Sequence, residues 1–146
     1  MTVPTKEALE RMRNMSLAHV SRYIETNGQD GHVWRNGAPT LLLTTEGRRS
    51  HEKHTTPLIY GRDGESYLIV ASMGGSDRPP HWYLNLIENS QVDLQVAAER
   101  FRALARTASS EEKARLWPVM IAVWPGYDDY QSSTHRDIPI VILERQ

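Results

Sequence analysis

The chain contains no cysteine, which excludes disulfide bonds, thiolate nucleophiles and cysteine-ligated zinc. It also has almost no net charge, because 17 Lys and Arg residues stand against 18 Asp and Glu residues. Nucleic-acid binders usually carry a clear basic excess, so we expect no nucleic-acid partner. Long apolar runs are missing too, since the longest, Val119 to Trp124, is far too short to span a bilayer.

Residues 1–30 lack the apolar run of a signal peptide, because Glu7, Glu10 and Arg13 interrupt them. We therefore expect a cytoplasmic protein without an integral membrane segment. The mixed charges of this region argue against strong membrane binding, and a peripheral membrane association is left open.

Several catalytic motifs are absent as well. There is no P-loop, no G-x-G-x-x-G fingerprint and no G-x-S-x-G elbow, so nucleotide hydrolysis, a Rossmann domain and a serine hydrolase find no support. His51 and His54 superficially resemble a metal motif, but they lie three residues apart in a polar loop, not four apart on a helix. We expect surface histidines here and no metal site.

The N-terminal region has the periodicity of an amphipathic helix over residues 6–26. The residues that share one face are Leu9, Met12, Val20, Tyr23 and Ile24. Gly28 follows at the point where a helix end favours a left-handed residue. We expect this helix, with its connector at residues 1–36, to pack over the rest of the chain or to cover the mouth of a barrel.

From Thr40 onward the pattern is that of short strands separated by turns. The predicted strands are 40–45, 56–60, 66–72, 92–96, 101–105 and 138–143. Glu46 to His54 is predicted as a polar loop, and hairpin turns are predicted at Arg62-Asp63-Gly64 and at Ala98-Glu99-Arg100. Because tight turns favour antiparallel pairing and closure removes exposed edges, we predict a small antiparallel barrel, mainly β with helices.

Three further helices are predicted. Trp82 to Asn89 has the length of a short helix, and Tyr127 to Ser132 is predicted to form one helical turn. Ser109 and Glu112 form a capping box, and the helix that they open is predicted to kink or restart at Pro118.

Two segments are suited to an anionic ligand. Thr44 to Ser50 runs from a strand end into a glycine-containing basic loop, where Arg48, Arg49 and a serine hydroxyl suit a phosphate or polycarboxylate. Ala71 to Gly75 ends in paired glycines, whose backbone can approach a ligand closely. Each pattern is also typical of an ordinary surface turn.

Two aromatic segments are suited to a flat ligand. Trp82 and Leu86 share a helix face, which favours core packing, while the Asn85 amide has the donors and acceptors to bind a heterocycle edge. Trp124, Tyr127 and Tyr130 flank a Pro-Gly break and form a candidate stacking wall. Either tyrosine hydroxyl is a candidate proton donor, and core packing is the alternative for at least one of them.

In this order the segments resemble the deazaflavin (F420)-dependent nitroreductase family, also described as F420H2-dependent quinone reductases. The resemblance runs from about Gly37 to Glu144 and leaves the N-terminal helix outside. It is carried by Leu42-Leu43-Thr44-Thr45-x-Gly47-Arg48-Arg49-Ser50, Ala71-Ser72-x-Gly74-Gly75, Trp82-Tyr83-x-Asn85-Leu86, Tyr127-x-x-Tyr130-Gln131 and Ile138-Pro139-Ile140-Val141.

The resemblance implies a split β-barrel like that of flavin-binding reductases, with residues 37–146 as the cofactor-binding domain. By similarity, Arg48, Arg49 and Ser50 would hold the phosphate and acidic tail of coenzyme F420. The full set of implied coenzyme contacts is Arg48, Arg49, Ser50, His54, Pro57, Leu58, Ser72, Met73, Gly74, Gly75, Trp82 and Asn85. Trp124, Tyr127 and Tyr130 match positions that border the substrate pocket.

The chain departs from the family pattern at four positions. His51 and His54 stand where the family usually has Gly and Arg, and Met73 stands where a basic residue is common. These changes remove positive charge, so anion affinity is expected to be lower or partly pH-dependent through His54. Trp124 replaces a frequent tyrosine, which puts nitro reduction in doubt.

The resemblance implies hydride transfer from reduced F420 to an electron-poor acceptor, such as an α,β-unsaturated lactone or enone, a coumarin-like ring, a quinone or a nitroaromatic. Two alternatives remain open at this point. One is a non-catalytic protein that binds or carries F420 or another hydrophobic ligand, and the other is a split-barrel reductase that uses FMN. We expect a monomer or a homodimer.

Overall fold

The computed structural model describes residues 5–34 and 37–146, and within them not the side chains at positions 8, 9, 12 and 13. The predicted N-terminal helix is present as α1 (Lys6–Glu25). Of its predicted apolar face, Leu9 and Met12 have side chains outside the described residues. Tyr23 is fully buried, whereas Ile24 is 43% exposed.

Seven strands follow α1 and form one sheet in which every pairing is antiparallel. Their bounds are β1 (Thr40–Glu46), β2 (Lys53–Ile59), β3 (Gly61–Asp63), β4 (Ser66–Val70), β5 (Gln91–Val96), β6 (Glu99–Thr107) and β7 (Ile140–Arg145). The spatial order is β2-β1-β5-β6-β7-β4-β3. The strand that was not predicted separately is the three-residue β3.

The two outermost strands of this order, β2 and β3, are neighbours in sequence and are separated by Tyr60 alone. A single residue cannot cross a flat seven-stranded sheet, because an extended residue spans only about 3.5 Å. The sheet must therefore curl until its first and last strands meet. The predicted antiparallel split barrel with an N-terminal helix is confirmed.

Two apolar clusters fill the two sides of the sheet. One face of β1, β4 and β7 packs inward, with Leu41, Ile69 and Leu143 in its cluster. The opposite face of β4 and β7, with Leu68 and Ile142, is covered by later helices. The strand period of two thus sends neighbouring apolar residues into different clusters, and both faces of these strands are buried.

The later helices are α2 (His81–Glu88), α3 (Ser110–Val123) and α4 (Gly126–Ser132). The predicted capping box is confirmed, because Ser109 accepts from the Glu112 amide and Glu112 accepts from the Ser109 amide. Of the two predicted outcomes at Pro118, a restart is wrong, since α3 runs through this residue, and a kink stays a prediction. Among the described residues, no helix is long and apolar enough to cross a membrane.

Two local predictions are corrected. Lys53 and His54 belong to β2 and not to the preceding loop, because they pair with Glu46 and Thr45 of β1. The β5–β6 turn consists of Ala97 and Ala98 and not of residues 98–100, since Val96 already pairs with Glu99.

Candidate functional site

The basic loop between β1 and β2 is a compact turn built around Gly47. Its amide donates to the Glu52 carbonyl at 2.7 Å, and its carbonyl accepts from the His51 amide at 2.9 Å. A Cβ atom at Gly47 would lie 2.5 Å from Ser50 Oγ and 3.1 Å from His54 Nε2. The absence of a side chain at Gly47 therefore lets Ser50 and His54 fold over the loop.

Asn85 of α2 is hydrogen-bonded to this loop through Arg48. It is buried, and its Oδ1 accepts from the Arg48 amide at 3.2 Å and from the Arg48 guanidinium at 2.9 Å. Its amide nitrogen donates to Thr45 Oγ1 at 3.2 Å. The Arg48 guanidinium also lies 3.5 Å from His81 Nδ1, at the start of α2. Asn85 therefore positions Arg48, and these hydrogen bonds connect α2 to the basic loop.

The cations of this region differ in how far they are already paired. Lys53 is bound to Asp93 at 3.0 Å, and Arg48 is half-buried and bonded to Asn85. Arg49 is exposed, and so are Ser50 and His54. His51 is exposed too, in a left-handed conformation with φ of 60°, and its Nδ1 lies 3.8 Å from Glu46 Oε1. Arg49 is thus the loop cation best placed to meet an anion from solvent.

The glycine segment after β4 forms a short 3-10 turn, Met73–Gly75. All three residues have positive φ values, of 46° at Met73, 63° at Gly74 and 83° at Gly75. Ser72 is buried, Met73 is 42% exposed, and Gly74 has open space around it. The Gly75 amide donates to the Ser72 carbonyl at 3.0 Å and closes the turn, and the open space at Gly74 lets a ligand approach its backbone.

Arg136 anchors this turn and was not singled out from the sequence. Its guanidinium donates to the carbonyls of Ala71 at 3.0 Å, Ser72 at 2.7 Å and Ser76 at 2.8 Å. Partial burial lowers the pKa of Arg136 from its ordinary value. Arginines that bind carbonyls across a long sequence separation leave no local pattern, so periodicity and spacing could not have indicated this contact.

Trp124, Tyr127 and Tyr130, the residues of the predicted stacking wall, lie in one cluster at the end of α3, and their role in stacking a ligand stays a prediction. Tyr127 and Tyr130 pack edge to face with their ring centres 6.0 Å apart. Trp124 Nε1 would lie 2.9 Å from a Cβ at Gly126, and Tyr130 Cζ would lie 3.7 Å from it. Tyr127 is only 5% exposed, and burial raises the pKa of its hydroxyl.

The glycine turn and the aromatic cluster touch directly. A Cβ at Gly75 would lie 2.9 Å from the Tyr130 carbonyl oxygen and 3.3 Å from Ser133 Cβ. Only a glycine fits here, both for its φ of 83° and for this close approach. The structure thereby joins two segments that are more than 50 residues apart in sequence.

The remaining predicted residues lie around the barrel. Pro57 and Leu58 are half-buried on β2, an edge strand in which a proline costs few ladder bonds. Trp82 is buried in the inner cluster and packs edge to face with Tyr83. Two surface grooves, of about 360 and 460 Å³, are lined by other residues. Over residues 5–34 and 37–146, no group of three or more His, Asp or Glu residues is arranged to hold a metal ion.

Comparison with known proteins places these features in a family. The model of the F420H(2)-dependent quinone reductases matches residues 15–145. The chain belongs to this family. An F420H(2)-dependent quinone reductase of Mycobacterium tuberculosis H37Rv is 42% identical over 131 residues, which is 88% of each chain. The prediction of an F420-dependent oxidoreductase is confirmed at the level of the family.

Two solved structures support the same relationship. One is described as an F420-H2 dependent reductase, is 35% identical, and matches 77% of this chain and 98% of its own with a TM-score of 0.69. The other is described as a domain-swapped dimer, is 33% identical, and matches 88% of this chain and 96% of its own with a TM-score of 0.71.

The residues present fit the coenzyme of this family. An exposed Arg49 with the Ser50 and His54 side chains beside it suits a phosphate and carboxylates. Open space at Gly74, in a turn of residues with positive φ, suits the close approach of a flat ring. The basic loop therefore suits the anionic tail of the coenzyme, and the glycine turn suits its flat ring.

Proposed function

We propose that this protein binds reduced F420 across the basic loop and the glycine turn and reduces an electron-poor, planar acceptor, a quinone in the first place. The observation that carries the proposal is the packing of Gly75 against Tyr130. It brings the turn assigned to the coenzyme ring beside the aromatic cluster assigned to the acceptor. When bound, the reduced deazaflavin supplies the hydride.

The chain's own residues have three tasks in this proposal. Arg49, with Ser50 and His54, binds the anionic tail, while Asn85 fixes Arg48 and the loop through the hydrogen bonds described above. Arg136 fixes the glycine turn. Holding two reactants in contact contributes roughly 7–11 kcal/mol to lowering a barrier, so positioning is a sufficient role for the protein.

The aromatic cluster sets the class of acceptor. Trp124 and Tyr130 offer flat surfaces for stacking, which suits quinones, coumarin-like rings and unsaturated lactones or enones. Trp124 lacks a hydroxyl that could bind a nitro group. We therefore propose that nitroaromatics are reduced more slowly than quinones.

The experiment measures binding and turnover separately. F420 is titrated with the purified protein and its fluorescence is followed, in parallel with FMN, for the wild type, Arg49→Gln and the control Arg100→Gln on the distant β5–β6 hairpin. Loss of a charge-assisted contact worth about 1.5–3 kcal/mol weakens binding roughly ten- to hundredfold. We expect that loss for Arg49→Gln, and a wild-type affinity for Arg100→Gln.

Bound reduced F420 is then mixed with menadione, a coumarin, an unsaturated lactone or a nitroaromatic, in a single turnover.

Three outcomes contradict the proposal. Binding of F420 without oxidation by any acceptor would show a carrier, and binding of FMN in preference to F420 would show a flavin enzyme. Equal affinities for Arg49→Gln and Arg100→Gln would remove the basic loop from the site.

The assembly state and location stay predictions. We propose a monomer or homodimer, and the relative described as a domain-swapped dimer supports the second option. Light scattering at several protein concentrations distinguishes them.

The expected cytoplasmic location is tested by fractionating cells that express the protein.

A further inference from the structure

Gln131, near the end of α4, has no task in the function proposed above, yet its side-chain amide connects three parts of the chain. Its Oε1 accepts hydrogen bonds from the Lys113 ammonium of α3 at 2.9 Å and from the Ile138 amide at 3.0 Å. Its Nε2 donates to the Arg136 carbonyl at 2.8 Å. Both polar atoms of the amide thus have partners outside α4.

The segment that joins α4 to β7 depends on these bonds. Residues 133–139 form neither helix nor strand, so their backbone groups have to find hydrogen-bond partners one by one. The Gln131 amide supplies two of these partners, at the carbonyl of Arg136 and at the amide of Ile138. Ile138 is fully buried, which fixes the far end of the pair. The backbone of Arg136 is thereby held in place.

The Arg136 guanidinium reaches from this segment to the glycine turn. It donates to the carbonyls of Ala71, Ser72 and Ser76, which stand on both sides of Met73–Gly75. A long side chain positions its partners only as accurately as its own backbone is held. The hydrogen bond from Gln131 to the Arg136 carbonyl therefore contributes to the position of the glycine turn.

We propose that Gln131 is a positioning residue that fixes Arg136 and, through Arg136, the glycine turn that places the coenzyme ring for hydride transfer. This inference rests on the proposed function. The anionic tail is assigned to the basic loop, which is hydrogen-bonded to Asn85 and not to Gln131. Loss of the bond between Gln131 and Arg136 should therefore slow hydride transfer and leave the coenzyme affinity nearly unchanged.

Gln131→Glu isolates the bond to Arg136. A carboxylate keeps one oxygen for Lys113 and the Ile138 amide, but it has no N–H to donate to the Arg136 carbonyl. The Lys113 ammonium favours the ionised form of this carboxylate. The matched control is Lys113→Met, which removes a bond to the same Gln131 oxygen, keeps the apolar stem beside Trp117 and leaves the Arg136 bond in place.

The first measurement is the rate constant for oxidation of bound reduced F420 by menadione in a single turnover, together with the Kd of F420 from fluorescence titration. Because a misplacement of about 1 Å costs up to about a hundredfold in rate, we expect Gln131→Glu to lower the rate constant about ten- to hundredfold, with a Kd within about twofold of the wild type. Lys113→Met keeps both values at the wild-type level.

A double variant tests whether Gln131 acts through Arg136. Arg136→Met should lower the rate constant at least as much as Gln131→Glu does. Residues that act through one network are not additive, so the double variant should be no slower than Arg136→Met alone.

Hydrogen exchange of the free protein gives a readout that needs neither coenzyme nor acceptor. The Gly75 amide donates to the Ser72 carbonyl at 3.0 Å within the turn, so its exchange rate reports how firmly the turn is held. We expect faster exchange at Gly75 in Gln131→Glu than in Lys113→Met. Amides of β1, which lies outside the segment, serve as the reference for global unfolding.

The inference is overturned if Gln131→Glu and Lys113→Met give equal rate constants, or if F420 affinity falls in proportion to the rate. It is also overturned if the effects of Gln131→Glu and Arg136→Met multiply in the double variant. If the wild type oxidises no reduced F420, the proposed function fails, and exchange at Gly75 still decides whether Gln131 fixes the turn. If Gln131→Glu does not fold, Gln131→Met is compared with Lys113→Met in the same measurements.

Discussion

The two tyrosines of the aromatic cluster have different environments. Tyr127 is almost fully enclosed, and burial raises the pKa of its hydroxyl, which makes it a weaker acid than an ordinary phenol. Tyr130 is only half-buried. A raised pKa means that the Tyr127 hydroxyl stays protonated throughout the neutral range, so its ionisation cannot shape a rate profile there. These environments favour solvent over Tyr127 as the source of the proton that completes acceptor reduction.

Tyr127→Phe is accordingly expected to lower kcat for menadione by less than tenfold, because it removes a hydroxyl that water can replace. The measurement is kcat from pH 6 to 9 for the wild type, Tyr127→Phe and the matched variant Tyr130→Phe. All three profiles should have the same shape. A loss of more than a hundredfold in Tyr127→Phe, with a normal F420 affinity, would instead identify Tyr127 as the proton donor.

Single residues of the site were predictable only where their chemistry shows in the local sequence. Arg49 stands in a cluster of basic residues, and the paired glycines at Gly74 and Gly75 indicate a left-handed turn. Asn85 and Arg136 were harder, because each acts on a segment that is distant in sequence. Asn85 was predicted as a coenzyme contact. The structure shows that Asn85 accepts hydrogen bonds from Arg48 and donates one to Thr45. A contact of Asn85 with the coenzyme stays a prediction.

Among the secondary-structure elements, the start of α3 combines a cap with a network of charges. Glu112 accepts from the Ser109 amide at 3.0 Å and binds the Arg106 guanidinium with both carboxylate oxygens, at 2.8 and 2.9 Å. Arg106 also reaches Glu144 of β7 at 2.7 Å. These contacts, the Arg106 hydrogen bonds first, lower the pKa of Glu112 to about 2. The helix start is thereby tied to two strands.

This pKa shift predicts a loss of stability in acid. A carboxyl group whose pKa is lower in the folded state stabilises the fold above its unfolded pKa, about 4.3 for Glu. The contribution disappears as the pH falls from there towards 2. Glu112→Gln should therefore lower the free energy of unfolding at pH 7 and flatten its decline between pH 5 and 2. Urea unfolding at several pH values measures both effects.

Glu111→Gln is the matched control for this variant. Glu111 lies in the same helical turn and is exposed, and its charge also faces the positive end of the helix dipole. If Glu111→Gln and Glu112→Gln lose stability equally and show the same pH dependence, the helix dipole and not the Arg106 network accounts for the effect.

Elements were predictable where one short segment contains the whole signal. The capping box of Ser109 and Glu112 is such a segment, and so is the hairpin turn at Gly64, which has the expected positive φ of 58°. The turn at Ala97 and Ala98 was misplaced because neither alanine is a turn former. Ala97 has a φ of 54°, and its amide donates to the Tyr23 hydroxyl, 74 residues away. Tertiary contact fixes this turn.

At the scale of the whole molecule, the same tyrosine connects α1 to the barrel. The Tyr23 hydroxyl lies 2.9 Å from the Thr40 carbonyl of β1, 3.3 Å from the Gln95 carbonyl of β5 and 2.7 Å from the Ala97 amide. Gly28, just after the helix, packs against Ala97 so closely that a Cβ atom would lie 2.4 Å from Ala97 Cα. The division at residue 36 that we expected from the sequence stays a prediction. These contacts lead us to propose that residues 1–36 and 37–146 unfold together.

Replacement of Tyr23 by Phe tests whether the two regions unfold together. It leaves a partly buried amide and two buried carbonyls without their hydroxyl partner, which costs about 1–3 kcal/mol. We expect a single urea transition, moved to lower concentration by that amount, with an unchanged m-value. Tyr83→Phe is the control, because the Tyr83 hydroxyl bonds to Thr107 Oγ1 at an exposed site, and its loss should cost less than about 0.5 kcal/mol.

Alkaline pH provides a second measure of the same hydroxyl. Burial raises the pKa of Tyr23 to about 12, while an unfolded tyrosine titrates near 10. The protonated hydroxyl therefore stabilises the fold fully below pH 10, and this contribution declines as the pH rises from 10 towards 12. The wild type should lose stability in this range more steeply than Tyr23→Phe. Two separate transitions in the wild type, with helix signal lost first, would show instead that α1 unfolds independently of the barrel and that Tyr23 is not the link between them.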